Sequence, residues 1–129
     1  MSERVVIKTD GAPTPTGPFN QAIRVGNMVY TSGQAGRNRE TGQMGDLAEQ
    51  TDWALRNLNN ILQAAGSSLD DAVKLTVFIK DGIDSSALND VYARHFSGAL
   101  PARSSAFVSR LKGADMLVEI EAIAMVKEA

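Results

Sequence analysis

The chain alternates between two hydrophobic patterns, one typical of strands and one typical of helices. From Val73 to Ile79 an apolar residue occupies every second position. Successive side chains of a strand point to opposite faces, so this pattern predicts a half-buried strand over 72–80. Arg4–Thr9 also reads as a short strand, and the prolines that follow it keep residues 11–18 in an extended loop.

Two segments repeat their apolar residues at three- and four-residue steps, as amphipathic helices do. The first lies between Asp46 and Ala65 and ends before Gly66, a residue type that commonly terminates helices. The second begins near Ser85 or Ser86, either of which can cap it, and ends near Gly98. We therefore expect two helices separated by the strand at 72–80.

Two hairpins complete the predicted elements. The runs 22–25 and 28–33 flank Gly26-Asn27, a pair that suits a two-residue turn because glycine adopts positive φ without steric cost. Residues 101–126 read as two further strands joined by a short polar turn. We expect this last pair to form the closing hairpin of the sheet.

The predicted order is βββαβαββ, with no repeat or linker that would divide residues 1–129 into more than one domain. Two helices laid on one face of a mostly antiparallel sheet define the α+β class. The other face of the sheet stays open, and in the last strand it carries Ile123 and Met125. A partly apolar open face predicts an oligomer.

The amino-acid composition disfavours several classes of function. The 129 residues are 43% apolar, which is enough for a core, but no stretch approaches the roughly 20 apolar residues of a membrane span. The start of the chain lacks a signal-peptide pattern, so we expect a cytoplasmic protein. With no cysteine and one histidine, we expect no metal and no other cofactor. A formal net charge of -2 disfavours nucleic acid as a partner.

One arginine and two glutamates stand out in the closing segment. Glu119 and Glu121 share a strand face about 7 Å apart, and like charges in a partly dry place raise at least one pKa. A raised pKa makes a carboxylate a proton acceptor near neutral pH. Arg103 offers a planar fork that suits a carboxylate ligand. Each group is also compatible with a solvated surface charge, but presented together by one hairpin they suit a small carboxylic acid undergoing proton transfer.

Five motifs in series resemble those of the Rid family of reactive intermediate deaminases, also called the RidA or YjgF group. They are GPFNQA at 17–22, VYTSGQ at 29–34, LNDVYARHF at 88–96, PARSS at 101–105 and VEIEAIA at 118–124. The resemblance implies a chorismate-mutase-like (ferredoxin-like) fold and a homotrimer with ligand clefts between subunits. It also implies an enzyme that hydrolyses enamines and 2-imino acids such as 2-aminoacrylate to 2-keto acids and ammonia.

The resemblance assigns roles to individual residues. Arg103 matches the arginine that binds the substrate carboxylate, Glu119 matches the glutamate that holds the attacking water, and Glu121 becomes its supporting neighbour. Other matches to the family's cleft are Ser32, Gly33, Asn89 and Tyr92.

Three residues of these motifs depart from the family pattern. Phe19 stands where tyrosine is usual, so a hydroxyl that could bond to ligand or water is missing, and Asn20 replaces the serine after it. Ser105 stands where many members have cysteine, although its backbone N–H can still contact a carboxylate. The departures keep open a non-catalytic, carboxylate-binding regulatory trimer. A third hypothesis, ribonuclease activity or translation inhibition as attributed to some members, is disfavoured by the acidic charge balance.

Overall fold

The computed structural model describes residues 3–127, in which seven strands form one sheet and two α-helices pack on one of its faces. The strands are β1 Arg4–Ile7, β2 Ala22–Val25, β3 Met28–Thr31, β4 Gln34–Ala35, β5 Ala72–Lys80, β6 Ala102–Val108 and β7 Val118–Met125. The helices are α1 Leu47–Ala64 and α2 Leu88–Ala93, and a 3-10 turn at Leu69–Asp71 precedes β5. The α+β class and the order βββαβαββ are confirmed, with β4 as a short addition after β3. No helix in this part of the chain is long and apolar enough to cross a membrane.

The sheet order is β1-β2-β3-β7-β5-β6, so the predicted closing hairpin is wrong. β6 pairs in parallel with β5, and β5 pairs antiparallel with β7, which places β5 between the two strands expected to be neighbours. Alternation identifies a strand but not its partner. The order strand, helix, strand at β5-α2-β6 favours a parallel pair, because a parallel connection needs a crossover of a dozen or more residues.

The ends of the β2–β3 hairpin and of α1 follow local chemistry. Gly26 takes the positive φ of the tight turn, at 58°, and β2 and β3 pair antiparallel on either side of it. The Asp46 side chain accepts a hydrogen bond from the Glu49 N–H at 2.9 Å, and the Glu49 side chain bonds back to the Asp46 N–H. This capping box satisfies donors that the first turn of a helix leaves free. Gly66, with φ of 84°, terminates the helix as predicted.

α2 is shorter than the sequence suggested. Its N-cap is Ala87 and no side chain caps it, so the prediction of Ser85 or Ser86 as the cap is wrong. The helix ends at Ala93 and does not continue to Gly98, because Asp70 next to β5 accepts hydrogen bonds from the backbone and side chain of Ser97. This tertiary contact holds Ser97 outside the helix.

The core lies between α1 and the covered face of the sheet. Fully buried side chains from α1 meet fully buried side chains from β5 and β7, among them Leu55, Leu58, Ile61, Leu75, Val77 and Ile120. Val73 is an exception to the predicted alternation, because an irregularity in the pairing with β7 between Ala72 and Lys74 leaves it 44% exposed. On the open face, Tyr30 and Met125 are each 47% exposed, so the expected apolar surface is present.

Candidate active site

Glu119 lies on the open face of β7, directly against Gly33. A Cβ atom at Gly33 would collide with the Glu119 side chain, so only glycine allows this approach. Gly33 lies in the break between β3 and β4. Tyr30 pairs with Ile123, and Gln34 pairs with Ile120. The chain advances four residues from Tyr30 to Gln34 but only three along β7, so the segment between β3 and β4 contains one extra residue, a β-bulge. The bulge places the Gly33 backbone beside the Glu119 carboxylate.

A cavity of about 560 Å³ opens beside Glu119. Phe19, Ser32 and Gly33 line it together with Glu119, so four of the predicted site residues meet there. We call these four the Glu119 half-site. Phe19 is 45% exposed, and with prolines of the loop before it and Met116 it makes much of the cavity wall apolar. Glu121 lies on the same strand face as Glu119 but is exposed and does not line this cavity.

The pKa of Glu119 is raised, as the sequence argument expected of one of the pair. Burial of the half-buried carboxyl group is the largest cause, and the like charge of Glu121 adds to it. The ammonium group of Lys112 acts in the opposite direction and lowers the pKa. The proton affinity of Glu119 therefore depends on its burial, on the negative charge of Glu121 and on the positive charge of Lys112.

The proline-rich loop that forms one side of the cavity is held by Gln21. The Gln21 side chain is 3% exposed; its Nε2 donates to the carbonyls of Thr9 at 3.1 Å and Pro13 at 3.0 Å, and its Oε1 accepts from the Thr9 N–H at 2.8 Å. Ser32 Oγ donates to the Asn20 carbonyl at 2.6 Å. The sequence analysis did not single out Gln21. The feature that could have identified it is a polar amide directly before an apolar strand.

Arg103 lies in a second cluster, at the edge strand β6. Its Nη2 donates to Asn89 Oδ1 at 2.9 Å, and its guanidinium carbon lies 4.7 Å from the centroid of the Tyr92 ring. Ser105 is two residues further along β6 and therefore shares the strand face of Arg103. We call Asn89, Tyr92, Arg103 and Ser105 the Arg103 half-site. It presents an exposed cation, oriented by an amide and an aromatic face, to which a carboxylate can bind.

Tyr92 is buried beneath Arg103, with 6% exposure. Burial raises the pKa of its hydroxyl, and the neighbouring Arg103 charge opposes the rise. Within residues 3–127 the hydroxyl has no hydrogen-bond partner. Tyr92 therefore contributes its ring face to this cluster.

The two half-sites lie on opposite faces of the sheet within one chain. Arg103 pairs with Leu75, whose side chain faces the helices, whereas Glu119 pairs with Phe78 on the open face. The Cα atoms of Arg103 and Glu119 are two strand spacings apart across the sheet and three residues apart along the strands. Together these give a separation of about 14 Å. The prediction that one hairpin presents both groups is therefore wrong, because β5 lies between their strands and their side chains point apart.

Three further residues with titratable or charged side chains either lie outside the two half-sites or were not predicted from the sequence. His95 Nε2 lies 2.8 Å from Asp52 Oδ1 and links the segment after α2 to α1, away from both half-sites. Lys112 and Arg37, which the sequence analysis did not single out, line the cavity beside Glu119. Within residues 3–127 there is no group of three or more side chains of the types that hold a metal ion.

Comparison with known proteins defines the family. Residues 9–126 match the family model described as Endoribonuclease L-PSP. A RutC family protein of Pyrococcus abyssi is 47% identical over 121 residues, covering 92% of this chain and 94% of that protein. The 2-iminobutanoate/2-iminopropanoate deaminase of Mus musculus is 42% identical over 124 residues, covering 95% of this chain and 91% of that protein. The crystal structure of Escherichia coli TdcF with bound serine has a TM-score of 0.86 and 40% identity, covering 94% of this chain and 98% of that one.

These matches and the observed topology place the chain in the class of chorismate-mutase-like (ferredoxin-like) α+β proteins. Within that class, the chain belongs to the Rid (RidA/YjgF) family, as its five motifs indicated.

Proposed function

We propose that this protein is an imine deaminase that converts 2-imino acids, such as those derived from 2-aminoacrylate, to 2-keto acids and ammonia. We further propose that it acts as a homotrimer in the cytoplasm, with the Arg103 half-site of one copy facing the Glu119 half-site of the next. The observation that carries the proposal is the separation of the two half-sites on opposite faces of one sheet. Each half-site is incomplete alone, and a ring of head-to-tail contacts would complete every site.

The open face of the sheet supports an assembly of this kind. Val6, Tyr30 and Met125 are each about half exposed and lie on the face that carries Glu119. Burying this surface against other copies would be favourable, at about 25 cal/mol per Å² of apolar area. In the proposed trimer, the same assembly would also have to bring a neighbouring Arg103 to the cavity.

The chemistry needs few groups. The Arg103 guanidinium would bind the substrate carboxylate in a bidentate contact, and the Ser105 N–H would add a donor. Water would then add to the C=N carbon while Glu119 accepts its proton. Return of that proton to the imine nitrogen would give a carbinolamine. Transfer of its hydroxyl proton to the same nitrogen, again through Glu119, would release ammonia as the C–N bond breaks and the C=O bond forms. The apolar wall around Phe19 would receive the substrate side chain.

The relatives support the reaction class. The Mus musculus relative is named for deamination of 2-iminobutanoate and 2-iminopropanoate, and the TdcF structure holds serine, a small amino acid with one carboxylate. A small 2-imino acid has the same carboxylate and a similar size. The cavity of about 560 Å³ leaves room for larger side chains as well.

Imine hydrolysis tests the activity directly. An amino acid oxidase would generate 2-imino acids in situ, and ammonia release above the uncatalysed rate would be measured. Arg103→Ala should raise KM by about 10- to 100-fold, because it removes a charge-assisted contact to the carboxylate. Glu119→Gln should lower kcat by about 10²- to 10⁴-fold, the range of a general base. Wild-type rates from Arg103→Ala would reject the proposal.

Mixing the two impaired variants tests whether the site forms between copies. Each variant keeps the half-site that the other has lost, so randomly exchanged trimers of Arg103→Ala and Glu119→Gln should regain about one quarter of wild-type sites. The control is the double variant Arg103→Ala/Glu119→Gln mixed with either single variant, which can form no intact site. If mixing after subunit exchange restores nothing, the site does not form between copies.

A carboxylate-binding protein without catalysis is the second candidate, and Phe19 favours it, since no hydroxyl from this position can assist a water molecule. Saturable keto-acid binding with unchanged imine decay would select it. Ribonuclease activity, which the family model's description names, would have to operate without histidine in the cavity, because the chain's one histidine pairs with Asp52. RNA cleavage that persists in Arg103→Ala but disappears on purification would dismiss that candidate.

A further inference from the structure

The loop between β6 and β7 is fixed against α1 by one buried side chain. Gln50 is 1% exposed; its Nε2 donates to the carbonyls of Gly45 at 2.8 Å and Asp115 at 3.0 Å, and its Oε1 accepts from the Leu117 N–H at 2.8 Å. A buried amide with both ends satisfied is costly to displace. The end of the loop next to β7 is therefore held against the start of α1.

Lys112 lies in this loop and reaches the cavity beside Glu119. A Cβ atom at Gly17 would lie 3.9 Å from Lys112 Nζ, so the ammonium group is next to the turn that precedes Phe19. Among residues 3–127, Lys112 takes part in neither of the two ion pairs. A cation without an ion-pair partner thus faces a cavity whose one carboxylate is Glu119.

We propose that Lys112 is a positioning residue that acts through Glu119: from the same cavity, its ammonium charge favours the ionised form of the Glu119 carboxylate. The charge relation stands on the shared cavity alone, and its consequence for catalysis rests on the proposed deaminase function. A carboxylate that must accept a proton from water is useful only while it is ionised. Lys112 would thus extend the working range of the site to lower pH.

The other groups around Glu119 do not supply this charge. Glu121, from the same strand, raises the pKa of Glu119, and Lys112 is the neighbour that lowers it. The residues paired with Glu119 are Phe78 on β5 and Ala35 on β4, both uncharged. Arg37 also lines the cavity, where its Nη1 donates to the Gly42 carbonyl at 2.8 Å. In the proposed trimer, Arg103 of a neighbouring copy would be an additional cation.

Titration of Glu119 tests the charge relation without any assay of activity. With ¹³C-labelled glutamate carboxyl groups, the Glu119 signal is assigned by its loss in Glu119→Gln and followed with pH by NMR. Lys112→Met should move the titration midpoint to higher pH, and Lys112→Arg should leave it near the wild-type position. Lys8→Met is the matched control, because Lys8 is exposed and does not line the cavity. The comparison is repeated in an Arg103→Gln background, where the same upward shift is expected.

Kinetics tests the consequence for catalysis. In Lys112→Met the acid limb of the profile of kcat/KM against pH should move to higher pH, and Lys112→Arg should restore it. High salt screens the charges of both Glu121 and Lys112, so the difference between wild type and Lys112→Met should shrink as the salt concentration rises.

The role of Lys112 and the deaminase function can be rejected independently of each other. A Glu119 titration that is unchanged in Lys112→Met overturns the role of Lys112, whatever the activity. A shifted titration in a protein that deaminates no imine supports the charge relation and rejects the deaminase function.

Discussion

At the scale of single residues, the candidate site depends on close contacts that leave little freedom. The Glu119 carboxylate occupies the space that a side chain at position 33 would need, and the Arg103 guanidinium lies on the Tyr92 ring within reach of Asn89. Both charged groups are therefore positioned by a neighbour with no charge of its own. Substitutions of those neighbours separate positioning from chemistry.

The first prediction concerns Gly33→Ala. The added methyl group collides with Glu119 and should displace the carboxylate, and a displacement of about 1 Å can lower the rate by about 10²-fold. The fall should appear in kcat, measured by ammonia release. Gly98→Ala is the control, because nothing lies within 4 Å of a Cβ there and φ is not positive. Equal kcat values for the two variants would contradict the contact.

The second prediction separates the ring of Tyr92 from its hydroxyl. Tyr92→Phe keeps the ring face under Arg103 and removes a hydroxyl without a partner in the described part of the chain, so KM should stay near wild type. Tyr92→Leu loses the cation–π contact, about 0.5–2 kcal/mol, and KM should rise by about 2- to 30-fold with kcat less affected. Steady-state kinetics measures both, and an equal rise in KM for the two variants would assign the effect to the hydroxyl.

At the scale of elements, the amino-acid pattern predicts what each segment forms better than what it pairs with. The sequence indicated α1 and the β2–β3 hairpin because apolar periodicity and a glycine, after the helix or in the turn, are local signals. The partner of β6 is set by the crossover through α2, and the end of α2 is set by Asp70, 27 residues before Ser97. Such contacts between distant segments leave no local pattern in the sequence.

The third prediction tests the contact that ends α2. Hydrogen bonds from the side chain and backbone of Ser97 lower the pKa of Asp70. A carboxyl group whose pKa is lower in the folded state adds stability above its unfolded pKa and loses it as the pH falls through the folded pKa. Asp70→Asn should therefore lower Tm near neutral pH, and the difference from wild type should shrink as the pH falls below about 4.

Asp10→Asn provides the control for that measurement, because Asp10 is exposed and its side chain accepts no hydrogen bond among residues 3–127. Calorimetry of the three proteins between neutral and acid pH measures the effect. A difference between Asp70→Asn and wild type that is independent of pH would mean that the ionised form of Asp70 does not stabilise the turn.

At the scale of the whole molecule, the sequence identifies the residues of the candidate site but not the face on which each one lies. Family motifs point to Arg103 and Glu119 without reference to strand order, so a site within one hairpin and a site between copies are equally compatible with them. The strand order removes the first possibility, because β5 separates the two strands. If the proposed trimer is correct, activity and assembly must be lost together when the open face is altered.

The fourth prediction tests that coupling with Tyr30→Glu. Tyr30 lies on the open face opposite Ile123 and is 47% exposed, so a new carboxylate there is tolerated in one copy but opposes burial against another. In sedimentation analysis the wild type should have three times the mass of one chain, whereas Tyr30→Glu should dissociate at the same concentration. Imine hydrolysis should fall with dissociation, while circular dichroism stays that of a folded chain.

Val5→Glu is the matched control, because Val5 is also an exposed apolar residue, at 48%, but its strand pairing places it on the helix-covered side of the sheet. The same change of charge at Val5 should leave mass and activity near wild type. A wild-type protein that sediments as a single chain at full activity would contradict both the trimer and a site shared between copies. Activity that falls in Tyr30→Glu while the trimer persists would place Tyr30 at the substrate rather than at the interface, because only a contact with the substrate would then explain the loss.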